Sequence, residues 1–377
     1  MGNTTGRRTS CVAETDCADG TYRAIRHQQI HCVESPIASS IRSSFSSLFK
    51  QGSKRSNSST ASSNHSYEVE TWPVSQTETL FLPLFPTKAH QKSQAFTFAG
   101  ELADGAFGKV CKVVAHDPSE SYAIKIISKS KVIEENLVGC ILLESEILKA
   151  VGHHPFIVRF VDNWQSRRKL YILTELVPHG ELYGLLQQHS IFPLLVVQLY
   201  VAQLALVLDF LLNAGVIYRD LKPENLLLDD QLNLKVIDFG FSKWLAHGAR
   251  TRTVCGTPKY MAPEIWSGQP YGHAVDWWSM GVVACRMLTG QFVRLEPDPS
   301  PVSKPKKVHL PDSVELDVPS TDLLLRLLEL DPAKRLRTLR ALQQIRFYFK
   351  FSFDDVRNKR IVGLELWKRF HPKFTLE

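Results

Sequence analysis

The sequence predicts an α+β protein of two lobes, a small strand-rich one with one main helix and a larger helical one, behind a disordered N-terminal extension. Three observations carry this. Between Phe96 and Leu176 the apolar residues alternate as in strands, apart from one stretch of helical spacing. Beyond Pro178 the balance shifts to helices. Before Phe96, serine dominates residues 35–66 with few large apolar side chains, too few to offset the entropy of ordering.

Residues 1–95 are therefore read as the extension, ending in a Pro-containing connector from Leu80 to Pro86. Phe96 to Ile127 reads as a three-strand meander with turns at Gly105–Gly108 and His116–Ser119. Val132 to Val151 has helical spacing, and Ile157–Val161 and Leu170–Leu176 read as two more strands, closing the small lobe at residue 177. In the second lobe, residues 178–349, helices are expected over Leu194–Asn213, Ala274–Leu288 and Thr321–Leu330. Short strands are expected around Leu226–Leu228 and Leu234–Ile237, and residues 350–377 form a short basic tail. The junction of two such lobes is where a ligand cleft is expected.

Composition excludes several classes. With 377 residues and 44% hydrophobic content, the chain can bury a sizeable core. Seven scattered cysteines without a C-x-x-C pair indicate neither a disulfide framework nor a zinc site, which suits a reducing compartment. Met1 to Gly6 lacks the apolar region of a secretory signal. The long apolar run Leu194–Ile217 is broken by Gln198, Gln203 and Asp209, so it reads as a buried helix rather than a membrane span, and a cytoplasmic location is expected. Of the net charge of +7, the stretch from Ala333 to Glu377 accounts for a surplus of eight, leaving the rest near neutral. That stretch reads as a solvated face, and no nucleic-acid partner is expected.

The chemistry-bearing residues come in an ordered series. Ala103-Asp104-Gly105-Ala106-Phe107-Gly108-Lys109-Val110 is a glycine-bearing turn in which backbone amides can approach phosphate oxygens. Ala123 and Lys125 share one face of the following strand, so Ala123 can roof a base while Lys125 reaches phosphates. A lysine on that face needs a partner, and Glu144 in the next helix is the natural one. Asp220, Lys222 and Asn225 then fall within one short loop: an acid to accept the proton of an attacking hydroxyl, a cation to steady a moving phosphoryl group and a carboxamide to hold Mg2+. Thirteen residues further on, Asp238-Phe239-Gly240 ends an apolar strand with a second metal-binding carboxylate.

This set, with Ala262-Pro263-Glu264 beyond it, resembles the protein-kinase signature from Phe96 to about Phe349. Tyr218 and the segment Thr253-Val254-Cys255-Gly256-Thr257-Pro258 resemble the group named for protein kinases A, G and C, and within it the ribosomal S6 kinases. The resemblance implies the bilobal protein-kinase fold, ATP and Mg2+ as cofactors, and proteins with Ser or Thr as substrates. It extends the ATP site to Leu102, to the backbones of Glu175 and Val177, and to Leu227, Val110 and Ala123 around the adenine. It makes Glu181 and Glu224 readers of basic residues upstream of the target hydroxyl. Lys222 and Thr257 resemble the serine/threonine-specific pattern. Thr253 matches the activating phosphosite, served by an upstream kinase, with Arg219 and Lys243 as its cationic partners. Glu264–Arg335, Asp276, and the row Leu148, Phe160, Tyr218 and Phe239 are implied to be structural.

Some positions depart from the family pattern. Ala103 replaces the first loop glycine, Cys140 stands where a basic residue is common, and Gln291-Phe292-Val293-Arg294 and the Pro- and Lys-rich stretch Pro297–Lys307 follow Gly290. Ala103 and the Gly290 region support an alternative, a kinase-fold scaffold that acts through partners. Gly2 partly fits a myristoylation signal, and Ile37, Ile41, Phe45, Leu48 and Phe49 fall at helical spacing before Lys50, Lys54 and Arg55. A disordered linker with chance apolar residues is the plainer reading of this segment, and the alternative it carries is peripheral attachment to membrane lipid through the N-terminus.

Overall fold

The computed structural model describes residues 75–87, 94–105, 108–117, 119–296, 307–372 and 374. Gly2, Ala106, Phe107, the serine-rich stretch and nearly all of Pro297–Lys307 lie outside them. The first described element is a single helical turn, α1 (Gln76–Thr79), in which Ser75 and Glu78 satisfy each other's backbone amides. Phe81 and Phe85 just after it are fully buried. The stretch read as extension and connector is thus packed over residues 75–87. Two aromatic anchors four residues apart carried too little pattern to show this.

Alternation in the next segment builds β1 (Phe96–Gly105), β2 (Gly108–Ala115) and β3 (Ser121–Ser128) as antiparallel neighbours. Gly108 is required at the first turn, because a Cβ there would stand 1.8 Å from the carbonyl oxygen of Ile126. The helical stretch divides into α2 (Lys129–Glu134) and α3 (Val138–Val151). The break falls at Asn136, whose φ of 55° is a left-handed conformation that asparagine tolerates. Then β4 (Phe160–Gln165) and β5 (Lys169–Glu175) complete a sheet of order β1-β2-β3-β5-β4. The strand expected over Ile157–Val161 starts later, because Val158 and Phe156 exchange backbone hydrogen bonds with Val236 of the large lobe.

In the large lobe, α4 (Leu182–Gln188) precedes α5 (Leu194–Asn213), which is long and apolar enough to cross a bilayer yet is mostly packed inside the protein. Two antiparallel strand pairs follow: β6 (Val216–Ile217) pairs with β9 (Lys243–Trp244), and between them in the chain β7 (Leu226–Leu228) pairs with β8 (Leu234–Val236). They frame the loop of Asp220 and the turn of Asp238. After α6 (Pro263–Trp266), the buried helix α7 (Ala274–Thr289) packs on α5. An exposed hairpin of β10 (Arg294–Glu296) and β11 (Lys307–His309) leads to α8 (Val318–Leu327). That helix begins three residues before the expected Thr321, because Asp317 caps it by accepting from the Ser320 amide.

The last part of the chain is α9 (Leu339–Gln343), α10 (Phe353–Arg357) and α11 (Gly363–Phe370). The basic tail is therefore a folded appendage. Phe353, Val356 and Trp367 are buried, and the Trp367 indole donates to the Tyr200 hydroxyl on α5 at 3.1 Å. Arg335 and Glu264 form a buried bidentate pair at 2.7 and 3.0 Å, with the guanidinium 5.1 Å from the Trp278 ring centroid. Cys111, Cys255 and Cys285 are free and buried.

Candidate active site

Period two along β3 presents Ala123 and Lys125 on one face, and α3 carries Glu144 opposite. Lys125 Nζ meets Glu144 Oε1 at 2.5 Å and Asp238 Oδ1 at 3.9 Å. Burial disfavours the lysine's charge, but Glu144 and Asp238 together outweigh it and hold Lys125 above the usual lysine range. Burial also lifts the Glu144 carboxyl while Lys125 pulls it down; at this separation the two form an ion pair with the lysine charged. The same ammonium is the chief cause that lowers Asp238, against burial and with help from the Gly240 amide. Asp238 has a φ of 56°, a strained value for a residue that must present its carboxylate at a strand end.

The loop bearing Asp220 is fixed from below by Asp276, whose two carboxylate oxygens accept from the amides of Tyr218 at 3.0 Å and Arg219 at 2.7 Å. Burial pushes the Asp276 carboxyl up to about 6, opposed by those two amides. Arg219 itself has a φ of 73°. Above this support, Thr257 Oγ1 donates to Asp220 Oδ1 at 2.6 Å, and Lys222 Nζ reaches Asp220 Oδ2 at 2.9 Å and Thr257 Oγ1 at 2.8 Å. Asn225 Nδ2 donates to the carbonyl and Oδ2 of Asp220, both at 2.9 Å. Gly256, at φ 111°, permits the close approach of Thr257, since a Cβ would lie 2.6 Å from the Arg219 carbonyl oxygen.

Because Nδ2 of Asn225 is committed to Asp220, its Oδ1 is the group left to act as an acceptor. With the Asp238 carboxylate, which keeps 46% of its side-chain surface open, this makes one amide and one carboxylate oxygen. Such a hard-oxygen set suits Mg2+ that keeps waters and phosphate oxygens among its ligands.

Around the expected adenine position, Val110, Ala123 and Leu227 are partly buried and Val177 is buried. The Glu175 side chain accepts from the Arg159 amide at 2.8 Å and from Lys235 Nζ at 2.7 Å. That clamp on the segment joining the lobes was missed in the sequence. Its signal was a lysine inside the apolar strand Leu234–Val236, which burial obliges to find an anion. Leu102, Ala103, Asp104 and Gly105 are exposed on the β1–β2 hairpin, and Lys109 Nζ is held by Glu101 at 2.8 Å.

Glu224 has a buried Oε2 that accepts no hydrogen bond. Glu181, on the exposed rim, is raised above the usual glutamate range by burial and by the nearby charge of Glu224. Near Thr253, the Tyr271 hydroxyl donates to the Thr253 carbonyl, and Arg219 Nη1 donates to Tyr271 Oη at 3.4 Å. Lys243 Nζ lies 3.4 Å from Thr251 Oγ1, so its neutral partner is Thr251. Burial and the adjacent Arg219 charge lower the lysine.

The family model for the protein kinase domain matches residues 96–347. The chain belongs to the protein kinase family. This kinase is 38% identical over 287 residues to the human ribosomal protein S6 kinase-related protein, covering 75% of this chain and 69% of that one. It is 34% identical over 302 residues to a cAMP-dependent protein kinase catalytic subunit of Dictyostelium discoideum, covering 80% of this chain and 44% of that one. It is 37% identical over 282 residues to a RAC family serine/threonine-protein kinase homolog of the same organism, covering 73% of this chain and 63% of that one. These relatives place the kinase in the A, G and C group, among serine/threonine kinases. Members of the family use ATP and Mg2+.

Proposed function

We propose that this kinase transfers the γ-phosphate of ATP to Ser or Thr hydroxyls of proteins that carry Arg or Lys upstream of the target. The observation that carries the reading is the closed set around Asp220. Its carboxylate is oriented by Thr257, Lys222 and Asn225 and stands ready to accept a hydroxyl proton. Lys222, beside it, neutralises charge on the moving phosphoryl group, and Lys125 holds the phosphates from the opposite lobe. Mg2+, when bound at Asn225 and Asp238, neutralises phosphate charge. The orphan Oε2 of Glu224 and the elevated Glu181 support a basic residue on the substrate.

Phosphorylation of Thr253 by an upstream kinase is part of the proposal. Arg219 and Lys243 are close enough that the lysine is destabilised by its neighbour, and a phosphate between them relieves that repulsion. Attachment to membrane lipid through Gly2 and the 37–55 segment rests on the sequence alone. Fractionation of cells expressing the chain and its Gly2→Ala variant tests it, and an equal soluble distribution for both removes it.

The function is tested with radiolabelled ATP and peptides that differ only in basic residues before the serine. Transfer to the basic peptide by the wild-type chain, lost in Asp220→Asn and Lys125→Met, is the expected result. No transfer by any preparation, including one phosphorylated on Thr253, favours a scaffold.

A further inference from the structure

Residues 75–87 precede the sheet in the chain yet are packed into the small lobe. Phe81 and Phe85 are fully buried and meet edge to face at 6.5 Å between ring centroids. Both belong to the large apolar core that runs through both lobes and also takes in Val132 of α2 and Leu137 and Ile141 at the start of α3. Neither α2 nor α3 has a side-chain cap at its N-terminus, so packing must place these two helices.

Two buried polar side chains tie the segment down. Gln165, the last residue of β4, donates through Nε2 to the carbonyls of Phe85 and Glu78, and its amide donates to the Pro86 carbonyl at 3.0 Å. Its Oε1 accepts from Lys129, whose ammonium also stands 5.3 Å from the Phe81 ring centroid. Lys129 opens α2, four residues after Lys125 on β3. The strap therefore touches the connection between the strand carrying Lys125 and the helix carrying Glu144. Those two must meet for the phosphates to be held.

We propose that residues 75–87 are a built-in strap that positions α3. Seated Phe81 and Phe85 hold the helix where Glu144 pairs with Lys125, and release of the strap lowers phosphoryl transfer. Phe81, Phe85, Gln165 and Lys129 are positioning residues in this scheme, which rests on the kinase reading above.

The test compares the full chain with Phe81→Ala/Phe85→Ala, and adds a synthetic peptide of residues 74–88 to each. Hydrogen exchange of the amides of residues 138–151 reports the helix, and transfer to a basic peptide reports activity. The double variant is expected to exchange faster in that helix and to lose about ten- to a hundredfold in kcat/KM. Added peptide is expected to reverse both losses saturably, and the same peptide with both phenylalanines changed to alanine is not. A variant that melts like wild type with unchanged exchange and activity overturns the strap. So does a loss that the peptide fails to restore, which marks general destabilisation. Should the alanine variant not fold, Phe81→Leu/Phe85→Leu replaces it, with a smaller loss expected and no loss overturning. Faster exchange in the variant beside an inactive wild type separates the two readings: the strap stands and the kinase assignment fails.

Discussion

Thr257 and Asp220, 37 residues apart in the chain, meet through a hydrogen bond of 2.6 Å, and Lys222 closes the triangle. One oxygen of the carboxylate is thereby held by a hydroxyl and the other by an ammonium. A hydrogen bond to a charged group contributes about 1.5–3 kcal/mol. Thr257→Val, which keeps the shape and removes the hydroxyl, is expected to lower kcat by about ten- to a hundredfold with little change in KM for ATP. Steady-state kinetics on a folded variant with undiminished kcat would count against an orienting role.

Glu144→Gln removes the anion that keeps Lys125 charged and in place. KM for ATP is expected to rise and kcat to fall, by about tenfold or more in kcat/KM. Nucleotide titration followed by fluorescence checks the binding part separately from turnover.

The acidic pair yields a pH dependence. Glu181 is raised by burial and by Glu224, so it takes up its proton at higher pH than an ordinary glutamate. As pH falls from neutrality, its charge is lost early, and KM for an arginine-bearing peptide is expected to climb before that for a neutral peptide. Glu224→Gln removes the repelling charge, lowers the Glu181 pKa and moves the onset to lower pH. An onset that stays in place in this variant sinks the coupling.

Breaking the buried pair of Glu264 and Arg335 leaves an uncompensated charge. Glu264→Ala is expected to destabilise the fold by about 3–5 kcal/mol, read as a shifted denaturant midpoint. Replacing both residues with apolar ones of similar volume is expected to recover most of that loss.

At Thr253, phosphorylation is expected to raise activity in the wild type and to have no effect on Thr253→Ala. Lys243→Met should blunt the gain by removing one cation. Equal stimulation of Thr253→Ala by the same upstream kinase moves the site elsewhere, with Thr251 the first candidate because it already faces Lys243.

The strands β1–β3 and the limits of α5 were legible because each element is long and lies between clear turn signals, although β1 shifts register twice against β2. Lys125, Glu144, Asp220, Lys222, Asn225 and Asp238 were legible as candidates because their chemistry is unusual for the apolar segments that hold them. Element edges were not. Val158 is drawn out of the expected strand by Val236, and α3 is cut short at its start by a left-handed Asn136, both consequences of contacts outside the local window.

Local pattern along the chain determined the two lobes, the order of the elements and the identity of the charged groups, because periodicity and charge are carried residue by residue. Only the tertiary structure decided that Phe81 and Phe85 enter the small lobe, that Lys235 clamps Glu175, and that Trp367 anchors the C-terminal helices on Tyr200. Each of these joins distant positions: Phe81 and Lys129 are 48 residues apart, Glu175 and Lys235 60, Phe85 and Gln165 80, and Tyr200 and Trp367 167. Such pairings leave no periodic trace, because the partner that makes burial favourable is absent from the neighbouring sequence.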